Sequence, residues 1–292
     1  MICRLCGGSR TKEITRPHSS IPPVLMCRNC GLRFIGRILT QAEYTERYND
    51  TEAYGNYVAL ERAELGAAGR RRRWLASIGR HVRESGRPLR LLDVGCGSGD
   101  FLADARSFGF EIEGLELSSA ATQIALRDHG IRLTRTAVED YQPTHPFDVV
   151  TSFGVLEHVL DPLALLRHMA RLTAPGGIIL VYTPAWCLYD RIAAMLSRAG
   201  EPRFLDRRIN GLSHVQIFPR RTLVKAVDGL GMQPVETLQV CEYNLPVEAY
   251  LESMRITGKV GRAAARAVKW IISRDLFFRN NQYILARKPA AS

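Results

Sequence analysis

The run Leu91-Leu92-Asp93-Val94-Gly95-Cys96-Gly97-Ser98-Gly99-Asp100 carries an apolar strand into a turn with three glycines in five residues. Glycine adopts positive φ at low cost and lets a ligand approach the backbone closely. Gly95, Gly97 and Gly99 therefore mark a binding turn at a strand-to-helix junction. The spacing separates ligand classes. A dinucleotide turn reads Gly-x-Gly-x-x-Gly and meets a pyrophosphate at the helix N-terminus. Here the third glycine comes one residue early and Asp100 follows it. That acidity opposes a pyrophosphate and suits a ligand bearing an ammonium and a sulfonium. Glu116 stands twenty-one residues after Gly95, at a strand end, placed to accept hydrogen bonds from two ribose hydroxyls. Beyond it, Glu139-Asp140 forms a carboxylate pair that can receive an adenine amino group.

A second constellation lies at the N-terminus. Cys3-x2-Cys6 and Cys27-x2-Cys30 are separated by twenty residues, the spacing of two metal knuckles. Gly7 and Gly31 each follow the second cysteine of a pair, where the turn tightens. Four thiolates leave no open coordination position, so Zn²⁺ held there is structural. A segment of about 35 residues buries too little to fold alone, and the metal supplies that stability. Cys96, between two motif glycines, is expected to serve by its small size.

The elements that must position these groups follow from periodicity. After a turn-rich zone at residues 1–38, residues 39–85 read as a helical linker or lid, from Thr40 through Tyr44 and Tyr48 and again from Val58 to His81. From residue 86 to 292, short β-type runs alternate with helical segments, the pattern of a parallel sheet with crossover helices. The predicted strands are Leu91–Val94, Gly114–Leu117, Arg132–Arg135, Val149–Ser152, Ile178–Tyr182, Pro234–Leu238 and Gln282–Ala286. Insertions are expected at about 185–220 and, as one helical stretch, at about 245–278.

Asp93–Gly99, Glu116, Glu139-Asp140, Phe147-Asp148-Val149-Val150 and Pro175-Gly176-Gly177 stand in the order that resembles class I S-adenosylmethionine (SAM) dependent methyltransferases. The segment Phe153-Gly154-Val155-Leu156-Glu157-His158-Val159-Leu160-Asp161-Pro162 is similar to the branch containing the ubiquinone-biosynthesis O-methyltransferases. Cys27–Leu32 with Thr40–Tyr48 resembles the zinc-ribbon leader of that branch. The resemblance implies an α/β, Rossmann-like, seven-stranded sheet carrying a small N-terminal zinc ribbon. It implies a cofactor-binding set of Asp93, Gly95, Gly97, Gly99, Glu116, Leu117, Glu139, Asp140, Phe153 and Gly154. Gly95, Gly97 and Gly99 would hold the methionine part, Glu116 the ribose and Asp140, with Glu139, the adenine. A hydroxyl or carbon-acid acceptor also needs a base near neutral pH. His158, after the fourth strand, and His214, in the segment after the fifth, occupy the acceptor side.

Net charge is +11, but residues 91–200 hold eight basic against thirteen acidic residues, so both flanks are basic. Those flanks suit an anionic, carrier-linked or lipid-linked small-molecule acceptor, and otherwise form a solvated arginine-rich surface. A ribosomal or transfer RNA methyltransferase is the runner-up; no aromatic-rich RNA platform and no Asn/Asp-Pro-Pro-aromatic motif supports it. A non-catalytic ribbon scaffold is the third reading, opposed by the glycine turn with Glu116. No apolar run reaches a membrane span, and the N-terminus lacks a secretory apolar core. The expected compartment is the cytoplasm and the expected state a monomer or homodimer. Peripheral membrane contact through the basic helical stretch from Val247 is the less favoured alternative to a lid packed on its own domain.

Overall fold

The structure is a computed structural model that describes residues 1–15, 22–37, 51–63, 67–82, 86–209, 214–242, 246–253, 256–273 and 279–290. The expected helix over Thr40–Tyr48, with Tyr44 and Tyr48, lies outside the described residues, as do Met254, Arg255 and Phe277-Phe278.

The strands of the main sheet are β4 (Arg90–Val94), β5 (Glu111–Leu115), β6 (Phe147–Phe153), β7 (Thr173–Pro184), β9 (Gln233–Val240) and β10 (Asn281–Arg287), in spatial order β5-β4-β6-β7-β10-β9. The first four run parallel, while β10 is antiparallel to both neighbours. This is the expected Rossmann-like arrangement, in which parallel strands covered on both faces read as continuous apolar runs. In β7, Ile178, Ile179, Leu180, Val181 and Tyr182 are all essentially without solvent contact. Burying each such side chain is worth about 1.5–3 kcal/mol, which makes β7 the centre of the core.

The seventh strand is not formed. The expected Arg132–Arg135 strand is a single parallel bridge, Leu115↔Thr134. Its two ladder bonds run from Thr134 N to Gly114 O at 2.9 Å and from Glu116 N to Thr134 O at 3.1 Å. The flanking Arg132 and Arg135 have no apolar face to bury, so the edge stays one residue wide.

The helices are α1 (Thr51–Ala63), α2 (Ala67–His81), α3 (Asp100–Ser107), α4 (Ser119–His129), α5 (Pro162–Leu172), α6 (Leu188–Arg198), α7 (Arg203–Ile209), α8 (Arg220–Asp228), α9 (Val247–Ser253) and α10 (Gly258–Ser273). Local chemistry sets several boundaries. Ser118 caps α4 by accepting from Ala121 N, and left-handed Gly130 ends it. Asp161 caps α5, accepting from Ala164 N at 2.9 Å, with Pro162 in the first turn. The stretch expected as one helix from Val247 is instead the hairpin α9–α10, broken at Gly258, whose φ is +66°. Val247 and Leu251 pack with Ala264, Ala265 and Val268 in a small core of their own.

The N-terminal residues form a second sheet, β1 (Thr11–Glu13), β2 (Val24–Cys27), β3 (Arg33–Ile35) and β8 (Gln216–Ile217), all pairing antiparallel. Its fourth strand belongs to the insertion after β7. Cys3, Leu5, Cys27, Leu32 and Phe34 share one core with Leu156, Phe218, Leu223 and Val227. Sequence boundaries at residue 38 do not mark a detached module.

Candidate active site

The binding turn follows β4, and β4 lies where successive strands leave to opposite sides of the sheet, the place where open α/β sheets bind ligands. Gly95, Gly97 and Gly99 have φ of +70°, +55° and +75°. A side chain on Gly95 would meet Val155 at 2.4 Å, so that position needs glycine for packing as well as for φ. Gly95 N and Cys96 N both donate to Leu115 O, at 2.8 and 3.1 Å, which ties the turn to β5. Burial, with the charges of Asp93 and Glu116, pushes the Cys96 thiol well above its ordinary value. It stays an inert thiol.

Glu116 closes this cradle. Its carboxylate accepts from Gly97 N at 2.9 Å and from Ser118 N at 2.8 Å. The expected ribose acceptor thus also pins the glycine turn. Each oxygen retains a second lone-pair direction for a ligand hydroxyl. Leu117 beside it is 52% exposed, an apolar side chain left uncovered next to the cradle. Asp93 is buried and receives the Thr151 hydroxyl at 2.8 Å. Burial, with the Glu116 charge adding, raises its pKa to about 7, opposed by that hydrogen bond. Asp93 therefore braces the turn from within the core. Glu139 and Asp140 are exposed in the turn after the Thr134 bridge.

One expectation is corrected. Asp100 does not present a free negative charge: Arg62 grips it at 2.7 and 2.9 Å, and His129 Nε2 lies 2.5 Å away. Its carboxylate is committed to holding α1 against the start of α3. The glycine spacing, not this acidity, carries the discrimination against a pyrophosphate.

An aromatic block backs the cradle. The Phe153 ring stacks on Trp74 with centroids 4.1 Å apart, and Phe101 and Tyr182 complete the cluster. Phe153 is partly buried in this cluster and stands next to Gly154, whose φ is +67° and whose N–H donates to Tyr182 O at 3.0 Å. In the basic run Arg70–Arg73 only the first residue is buried, while Arg72 and Arg73 stay exposed. Arg70 is buried with its guanidinium 6.0 Å from the Trp74 ring, Arg71 meets Asp104 at 2.5 Å, and Arg73 meets Glu242. Sequence alone gave no signal for Arg70 or Trp74, because their burial depends on where α2 lands.

On the other side of Gly95 the turn after β6 brings three groups together. Ligand atoms of Glu157, His158 and His214 all lie within 4.8 Å of one another, a set that could also hold a metal ion. The two imidazole centroids are 5.0 Å apart, and His158 Nε2 is 3.9 Å from Glu157 Oε1. Glu157 is buried and accepts from Thr183 Oγ1 at 2.9 Å; burial raises its pKa. His214 is buried, and burial first, then His158 and Arg208, drives its pKa well below 6.5, so it is neutral. Its Nδ1 has no hydrogen-bond partner among the described residues. The sequence picked out both histidines; their convergence on Glu157 is a product of the fold.

At the ribbon, Cys3 and Cys30 sulfurs are 3.6 Å apart, as are Cys6 and Cys27, and all four lie within 4.8 Å of one another. Thiolates about 2.3 Å from a tetrahedral zinc stand roughly 3.8 Å apart. The donor set fits a structural Zn²⁺.

Comparison with known proteins agrees with this geometry. Residues 67–237 match the methyltransferase domain family, and the chain belongs to that family. A ubiquinone biosynthesis O-methyltransferase of Thiobacillus denitrificans is 38% identical over 101 residues, 32% of this chain and 44% of the relative. One from Nitrosospira multiformis is 34% identical over 116 residues, 37% of this chain and 48% of the relative. The chain thus spans less than half the length of the curated relatives it matches. Among solved structures, phosphoethanolamine N-methyltransferase 2 of Haemonchus contortus, bound to S-adenosylhomocysteine, aligns with a TM-score of 0.60 at 16% identity, covering 86% of this chain and 61% of that one. The [4+2]-cyclase SpnF aligns with a TM-score of 0.50 at 19% identity, over 75% and 82%. Such neighbours share the fold, and the cyclase shows that the fold alone does not fix the chemistry.

Proposed function

We propose that the protein transfers a methyl group from S-adenosylmethionine to a small-molecule acceptor, with His158 and His214 on the acceptor side. The observation that carries this reading is the adjacency of two half-sites. The Glu116-pinned glycine turn abuts Val155, in the same turn that carries Glu157 and His158 of the second cluster. Gly95, Gly97, Gly99 and Glu116, with Glu139, Asp140 and Leu117 at the rim, fit an amino-acid nucleoside. When bound, that cofactor supplies an electrophilic methyl on a sulfonium. What remains for the chain is to align the acceptor, exclude water and take up a proton. His214, neutral and sealed from solvent, offers an unprotonated nitrogen but holds a proton poorly. His158, with its side chain 20% exposed, has a path by which a proton can leave to solvent.

The relatives named for ubiquinone biosynthesis make a catechol the probe of choice. Isothermal calorimetry with S-adenosylhomocysteine tests the cofactor half. Methyl-labelled cofactor with 3,4-dihydroxybenzoate tests transfer. His158→Ala and His214→Ala should bind S-adenosylhomocysteine as the parent does, with His158→Ala losing most transfer. Undiminished transfer in both variants would sink the histidine roles.

The exposed face of α10 bears on the acceptor's character. Val260 is 71% and Trp270 54% exposed, and they share the helix with Lys259, Arg262, Arg266 and Lys269 and no acidic residue. Apolar and basic groups side by side support contact with an acidic lipid surface, suited to a lipid-linked acceptor. Among the described residues no helix is long and apolar enough to cross a membrane.

A further inference from the structure

β8 is hydrogen-bonded along both edges. On one side it joins the ribbon: Arg33 pairs with Ile217, Phe34 with Gln216, and Ile35 N donates to Val215 O at 3.0 Å. On the other side, Val215 N and Gln216 N donate to Glu157 O at 2.9 and 3.3 Å. The Gln216 side chain, 1% exposed, reaches the same turn. Its Nε2 donates to Leu156 O at 2.8 Å and to Val159 O at 2.9 Å, the carbonyls on either side of Glu157-His158. His214 stands two residues before Gln216, just ahead of the strand. A second tie fixes the knuckle itself, where Thr222 Oγ1 at the start of α8 donates to Cys30 O at 2.6 Å.

The cofactor side has a separate suspension. The glycine turn hangs on Leu115 O at the end of β5 and on Glu116 just after it, and Arg62 braces the following helix. None of these contacts involves the ribbon.

We infer that the ribbon is a positioning module for the acceptor-side groups, and that Gln216 is the positioning residue through which it acts. The metal orders the knuckles, and β3, anchored on them, holds β8. Gln216 in turn clamps the turn bearing Glu157 and His158 while the strand aims His214. The role given to these histidines rests on the methyl-transfer reading, but their placement is measured without it.

The test uses the full-length, zinc-loaded chain labelled with ¹⁵N. Imidazole ¹⁵N–¹H correlation spectra report His158 and His214, and calorimetry reports the S-adenosylhomocysteine dissociation constant. Gln216→Leu keeps the burial and deletes both amide hydrogen bonds. Stripping zinc with a chelator and restoring it perturbs the same path without a substitution. The expected result is that both perturbations shift or broaden the His158 and His214 signals, that restored zinc returns them, and that the dissociation constant stays within about three-fold. Unchanged imidazole signals after both perturbations would overturn the inference. So would zinc removal that abolishes cofactor binding together with the cooperative fold, because the ribbon would then support the whole chain rather than one half of the site. Failure of the parent protein to bind S-adenosylhomocysteine would strike the methyl-transfer reading instead.

Discussion

Replacing Glu116 tests the cofactor half quantitatively. The carboxylate already accepts two backbone N–H groups, from Gly97 and Ser118, and has one further direction on each oxygen. On the proposed reading these take the two ribose hydroxyls. A hydrogen bond to a charged group contributes about 1.5–3 kcal/mol, and a site at the sheet edge near water warrants the lower figure. Losing both in Glu116→Ala therefore costs about 3 kcal/mol, or roughly 150-fold in the dissociation constant of S-adenosylhomocysteine. Glu116→Gln keeps one acceptor oxygen but turns an amide N–H₂ toward a backbone N–H, so it should fall between, at roughly ten-fold. Isothermal calorimetry on the three proteins reads the order directly, with thermal unfolding run in parallel. If Glu116→Ala bound within about three-fold of the parent while unfolding at the same temperature, the ribose would be held elsewhere.

Two further perturbations probe other parts of the chain. Burial raises the Asp93 pKa to about 7 from 3.8, so the folded form binds an extra proton between those values, and stability present at low pH is lost as pH rises through 7. Asp93→Asn should therefore gain on the parent by about 2 kcal/mol between pH 5 and pH 8 in urea unfolding, and an equal difference at both pH values would show that Asp93 does not titrate there. Vesicles rich in phosphatidylglycerol should sediment the protein more than neutral vesicles do, with Trp270→Ala and Arg262→Glu reducing the bound fraction; equal recovery in the supernatant for all three proteins would remove the lipid reading of α10.

Local sequence determined much of this protein. The glycine spacing at 95, 97 and 99, the apolar run of β4 and the acidic residue at position 116 specify a strand, a tight turn and a carboxylate beside that turn within one βαβ unit, because propensity and close approach act over a few residues. The four cysteines declare a metal site for the same reason: ligand type and short spacing nearly suffice. Strand limits were displaced where pairing decided them, as at Arg132–Arg135, where one bridge stands in place of a strand.

Only tertiary structure decided which long-range neighbours meet. Arg70 reads as a surface charge until α2 packs it over Trp74, and Asp100 reads as a ligand group until Arg62, thirty-eight residues earlier, takes it. His158 and His214 carry no mutual signal across fifty-five intervening positions, yet the fold sets their rings 5.0 Å apart beside Glu157. The ribbon reads in sequence as a metal-stabilised leader, and the fold joins it in one sheet to the insertion after β7. Hydrogen-bond ladders and burial between distant segments depend on the whole chain's packing, which no window of local pattern contains.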